Sequence, residues 1–154
     1  MQSTVLVLHN LLRWAVLLFG LLTFFRAVNG VYSKRPFSAG DSKSNFWFML
    51  SCDMQLVLGL ILYFTGQWAD KLKNFHETMK NAEYRFYSFE HGVMMILALI
   101  LVHVGRVSVK KAITPASKHR RALIFFGLAI LLILAAIPWP FRVEIMRPLF
   151  RWFN

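Results

Sequence analysis

The chain reads as an all-α integral membrane protein, a four-helix bundle with a C-terminal interfacial amphipathic segment. Three observations predict this class. Hydrophobic residues make up 57% of the 154 positions and mean hydropathy is +0.51, whereas soluble chains carry about 45–50% apolar residues. Four apolar windows, at 4–25, 46–65, 86–107 and 122–141, each approach the roughly 20 residues that cross a hydrocarbon core of about 30 Å. The connections at 26–45, 66–85 and 108–121 are too short for a separate soluble domain, which usually needs about 50 residues or more. A single domain over 1–154 is expected, with helices near 4–28, 46–66, 86–108 and 121–138 and an interfacial tail at 139–154.

The first window lacks the basic leader and small-residue cleavage pattern of a secretory signal and outruns an h-region, so it is expected to stay in the mature protein. Asn29-Gly30 is expected to end this helix, and the polar run 33–44, with Pro36 and Gly40, reads as a loop. The second window holds the chain's one cysteine, Cys52. No intrachain disulfide is possible, and C-x-x-C-H haem attachment is excluded. Thr114-Pro115-Ala116-Ser117 separates two basic clusters ahead of the fourth window, and Ile137-Pro138-Trp139-Pro140 breaks the fourth helix. The tail that follows mixes aromatics with Arg142, Arg147 and Arg151, which suits a headgroup-level segment anchored by Trp139, Trp152 and Phe153.

A net charge of +11 would suit nucleic acid, but the basic residues cluster at helix ends, where they encode orientation. Arg26, Lys34, Arg35 and Lys43 flank the first connection, and Arg106, Lys110, Lys111, Lys118, Arg120 and Arg121 the third. The opposite side carries fewer cations, offset by Asp70, Glu77, Glu83 and Glu144. Both termini are therefore expected on the non-cytoplasmic side of a bacterial cytoplasmic membrane, with no nucleic-acid partner.

With antiparallel neighbours and a rise of 1.5 Å per residue, the polar residues inside the windows fall into two layers. His9, Arg13 and His91, with Glu90, form the outer one; Asp53, His103 and Arg106 form the inner one. Below His91, at helical spacing, come Met94, Met95, Ala98, Val102 and Gly105, a small or pliable stripe that lets backbones approach or leaves room for a flat ligand. His103 lies about 120° away from that face, so only one histidine pair can meet. Two neutral imidazoles from facing helices are what a six-coordinate b-type haem needs. Arg13, one turn from His9, could pair with a haem propionate. In the competing reading Arg13 pairs with Glu90, and the histidines bond only to backbone or water. Asp53 and His103 could relay protons or bind a quinone head group, with Glu90 a further candidate, or could form a structural pair. Gln55, Cys52 and Gly59 read as helix packing. His76 and His119 read as solvated.

Over nearly its full length the chain resembles small four-helix bacterial membrane proteins commonly labelled cytochrome b-like. The resemblance lies in Leu8-His9-x-x-x-Arg13-Trp14, Lys34-Arg35-Pro36-Phe37, Gln55-Leu56-x-Leu58-Gly59-Leu60-x-Leu62-Tyr63-Phe64 and Glu90-His91-x-x-Met94-Met95. It implies His9 and His91 as haem positions. The chain departs from the pattern at Asp53, where the resemblance would lead one to expect a histidine. The expected function is that of a membrane haem b protein exchanging electrons with quinol and a redox partner. The alternative is a non-catalytic subunit or assembly factor without haem, docked to a larger complex. A transporter is disfavoured, because four helices lack the inverted repeats of many transporter folds; a homodimer would add the missing helices.

Overall fold

Four helices are long and apolar enough to cross a membrane, over Ser3–Tyr32, Ala39–Thr65, Ala82–Lys111 and Pro115–Ala136. The computed structural model describes residues 2–150. Of the expected interfacial tail, Arg151, Trp152 and Phe153 lie outside the described residues. The elements are α1 (Gln2–Tyr32), α2 (Ala39–Thr65), α3 (Trp68–Lys71), α4 (Phe75–Lys80), α5 (Ala82–Arg85), α6 (His91–Lys111) and α7 (Pro115–Ala136). No strand occurs among the described residues. At most 39% of any span's apolar window is buried inside the protein, and only 17% for α2. Most of the apolar surface therefore faces outward, which fits a multi-pass protein whose solvent is lipid.

The long helices form an antiparallel ring. α1 packs on α2 and on α7, α6 packs on α7, and the α2–α6 seam is the loosest. That order leaves α1 diagonal to α6, so side chains from these two helices meet only through the centre. Phe48 and Phe126, both fully buried, cross the middle edge to face, with centroids 5.9 Å apart. Gly20 and Gly105 make room for them. A Cβ on Gly20 would lie 2.9 Å from Phe48 Cε2, and one on Gly105 3.1 Å from Phe126 Cε1. The small stripe below His91 is thus filled, with Ala98 and Val102 buried in the core.

Element boundaries differ from the sequence expectations where caps or packing override composition. α2 begins inside the expected loop because Ser38 and Asp41 form a capping box. α7 begins at Pro115 because the Thr114 hydroxyl accepts from the Ser117 N–H and proline suits the first helical position. α1 runs through Asn29-Gly30 to Tyr32. Gly30 lies under the His119 ring rather than in a turn. His119, expected to be solvated, is 1% exposed on α7, with its ring 5.2 Å from Phe37; His76 is exposed.

The ends of the bundle are built differently. At one end the α1–α2 and α6–α7 turns lie together, and Asp41 gathers the first of them. Its carboxylate accepts from Arg26 Nε (2.9 Å), from both terminal nitrogens of Arg35 (2.7 Å each) and from the Ser38 N–H (2.8 Å). The hydrogen bonds to Asp41 push the Arg35 guanidinium above its ordinary pKa. At the other end, residues 137–150 leave α7 as a turn-rich strap without helix. Pro138 and Pro140 cannot continue a helix. The strap lies back across the bundle: Tyr87 Oη donates to Ile145 O (2.8 Å), Arg147 pairs with Glu83 (2.6 Å), and Arg142 stacks over Phe86.

Candidate functional site

Between α5 and α6 the chain makes one π-helical turn, Phe86–Glu90. Such turns are rare inside helices and frequent at functional sites. His91 follows directly, 45 residues from Ala136, whose carbonyl oxygen lies 2.9 Å from its Nδ1. A carbonyl oxygen can only accept, so Nδ1 carries a proton, and in the neutral imidazole Nε2 keeps its lone pair. Metal-ligating histidines are commonly oriented in this way.

His9 comes from the diagonal helix. Its ring centroid lies 6.5 Å from that of His91, with the planes inclined at 64°. α2 fixes the backing. Gln55 Nε2 donates to His9 O (2.9 Å), and Gly59 is close enough that a Cβ there would lie 3.3 Å from His9 Cε1. These α2 residues, read from sequence as helix packing, serve to seat His9.

The strap closes this layer from the end. Arg13 Nη2 and Trp14 Nε1 both donate to Leu149 O, at 2.5 and 3.2 Å, and Asn10 Nδ2 donates to Pro148 O at 3.4 Å. Trp14 stacks on Phe150 at 5.1 Å. Arg13 does not meet Glu90. That carboxylate accepts from Arg85 Nε at 2.7 Å and lines two shallow clefts with Arg142. The competing reading, in which Arg13 pairs with Glu90, does not hold: Glu90 turns back to Arg85, while the strap's Leu149 carbonyl takes Arg13.

Despite these bonds, the layer is short of partners. Among the described residues, five buried side-chain atoms at this level have none: His9 Nδ1, Asn10 Oδ1, Arg13 Nε, Gln55 Oε1 and Ser88 Oγ. An unsatisfied buried polar atom costs about 1–3 kcal/mol. Buried polar groups nearly always have a partner, so ordered water or a bound group would complete the bonding of this layer.

The second expected layer is also assembled. His103 Nε2 lies 2.7 Å from Asp53 Oδ1, across the α2–α6 seam. Arg106 does not join this pair; it donates to Ser42 O (3.3 Å) and stacks over Phe46. Cys52 is free and buried.

No family model, curated protein or solved structure matches the chain. The likeness to cytochrome b-like proteins therefore rests on the short motifs alone. Those motifs have local structural roles here: Gln55 and Gly59 seat His9, Phe37 covers His119, and Tyr63 Oη donates to Ser88 O.

No group of three or more His, Cys, Asp or Glu that could hold a metal occurs among the described residues. A haem iron asks for only two protein ligands, and the donor chemistry of His9 and His91 fits it. Their ring centroids lie 6.5 Å apart, close enough for both side chains to hold one group. The orphaned Arg13 Nε suits a carboxylate edge. Sequence reasoning missed the strap, because Pro148 and Leu149 contribute backbone carbonyls that no side-chain pattern reveals. The available signal was the need of Asn10, Arg13 and Trp14 for acceptors in an apolar window.

Proposed function

We propose that this chain is a haem b-binding electron-transfer protein of a bacterial cytoplasmic membrane, with both termini on the non-cytoplasmic side and His9 and His91 as the iron ligands. The observation that carries the reading is the shortage of partners around the histidine pair: five buried polar atoms in one layer without a hydrogen bond. Bound haem b would supply a one-electron couple. The chain's own residues do the remaining work. Ala136 O holds the His91 proton on Nδ1, Gln55 and Gly59 fix the position of His9, Arg13 would hold a propionate, and the strap's Leu149 carbonyl orients Arg13. Quinol and a redox partner are the proposed electron donor and acceptor.

The test is an absorption spectrum of the purified protein, oxidised and dithionite-reduced, with haem extraction for stoichiometry. Sharp reduced α and Soret bands at about one haem per chain, lost in His9→Ala and in His91→Ala, are expected. A colourless, folded protein from haem-replete cells would overturn the reading. A second reading, a non-catalytic subunit of a larger complex, draws on α2, which is only 17% buried over its apolar window. Stoichiometric co-purification of a partner without pigment would favour it.

A further inference from the structure

We propose that Asp53 and His103 form a binding site for a membrane-dissolved aromatic alcohol, a quinol or an alkylphenol, reached from the bilayer. Asp53 lies near the middle of α2, and His103 lies eight residues before the end of α6, about 12 Å along the axis. Both are therefore within the apolar spans. Ionisable residues in membrane spans normally face the bundle interior or a water-filled cavity. This pair does neither. Its side chains are 36% and 47% exposed, on the outer surface of the α2–α6 seam. Val57, one turn from Asp53, and Ile100 and Val107, one turn either side of His103, are each at least half exposed and give the pair an apolar surround.

The hydrogen-bond inventory selects the ligand. One bond, His103 Nε2 to Asp53 Oδ1, joins the two residues, and Asp53 Oδ2 and His103 Nδ1 have no partner among the described residues. In hydrocarbon the pair is favoured when neutral overall, either as carboxylate with imidazolium or as carboxylic acid with imidazole. The ion pair, and the acid–imidazole pair with its proton on Oδ1, leave an oxygen that accepts and an N–H that donates; with the proton on Oδ2 the roles exchange, and each case leaves one donor and one acceptor. A phenolic hydroxyl offers the complementary acceptor and donor on an apolar body that lipid dissolves. A quinone carbonyl answers only the donor. The pair therefore discriminates for the hydroxyl form.

The test uses the full chain in lipid bilayer discs. Retention of a decyl-substituted benzoquinol is measured against discs without protein, and the corresponding benzoquinone serves as comparison. A saturable excess of about one quinol per chain is expected, with at least ten-fold weaker retention of the quinone. Asp53→Asn and His103→Gln, both able to keep a bond across the seam, are expected to lower quinol retention at least ten-fold with the helical circular dichroism unchanged. Equal retention by wild type and both variants, or no excess over empty discs, would make the pair a structural staple and overturn the proposal. The measurement needs no bound haem, so the haem reading can fail without affecting it.

Discussion

Asp41 and His9 stand at opposite ends of one bundle, and their surroundings could hardly differ more. Asp41 is 2% exposed, yet both of its oxygens accept several hydrogen bonds, tying α1, the first turn and α2 together. Around the half-buried His9, buried nitrogens and oxygens go without partners although the strap supplies carbonyls within a few residues. The chain can satisfy a buried charge completely where structure alone is at stake. Outside that layer Thr23 Oγ1 and both ring nitrogens of His119 also lack partners, so the strap end holds the larger share of the deficit among the described residues, five atoms in one layer.

The contrast can be broken at either end. Asp41→Ala removes the acceptor of Arg26, Arg35 and Ser38 together and is expected to cost about 3–5 kcal/mol, read by chemical unfolding in detergent. If it costs under about 1 kcal/mol, the carboxylate network is decorative and the comparison loses its reference. Gly30→Ala drives a methyl into the His119 ring and is expected to cost about 1–3 kcal/mol by overpacking. Adding His119→Ala should recover part of that loss, a coupling that a double-mutant cycle measures. Arg13→Met removes one tie between the strap and α1 and is expected to cost about 1–3 kcal/mol, with faster proteolysis between 141 and 150; an unchanged cleavage rate would mean that the remaining contacts, of Asn10, Trp14, Tyr87 and the Arg147–Glu83 pair, suffice to hold the strap. Tyr63→Phe removes only the bond to Ser88 O and is expected to cost about 1 kcal/mol.

Four apolar windows were enough to read the spans from sequence, since hydrocarbon thickness leaves little freedom in helix length. Depth counting also brought His9 to His91 and Asp53 to His103, because a straight helix converts residue number into height. Angular detail transferred less well. Arg13 and Glu90 share a level, but the π turn rotates one of them away and the strap claims the other. His119 was legible only as a polar residue in a basic connection. Its burial depends on Gly30 and Phe37, which come from other parts of the chain and meet it through packing. The strap had no side-chain signature, since its contribution to α1 consists of carbonyls.

The π turn at Phe86–Glu90 sets a phase. An α-helix advances 100° per residue, so one surplus residue in a turn rotates everything downstream relative to everything upstream. The α5 residues that greet the strap and the α6 residues that fill the core belong to two different facings joined at this point. A single-residue deletion within 86–90 would leave a regular helix, of ordinary length and hydropathy, that presents the wrong side to one of its two neighbours. Residue count in this stretch therefore matters as well as residue type: a substitution leaves the phase of α6 unchanged, whereas a lost codon would turn His91 off the bundle axis.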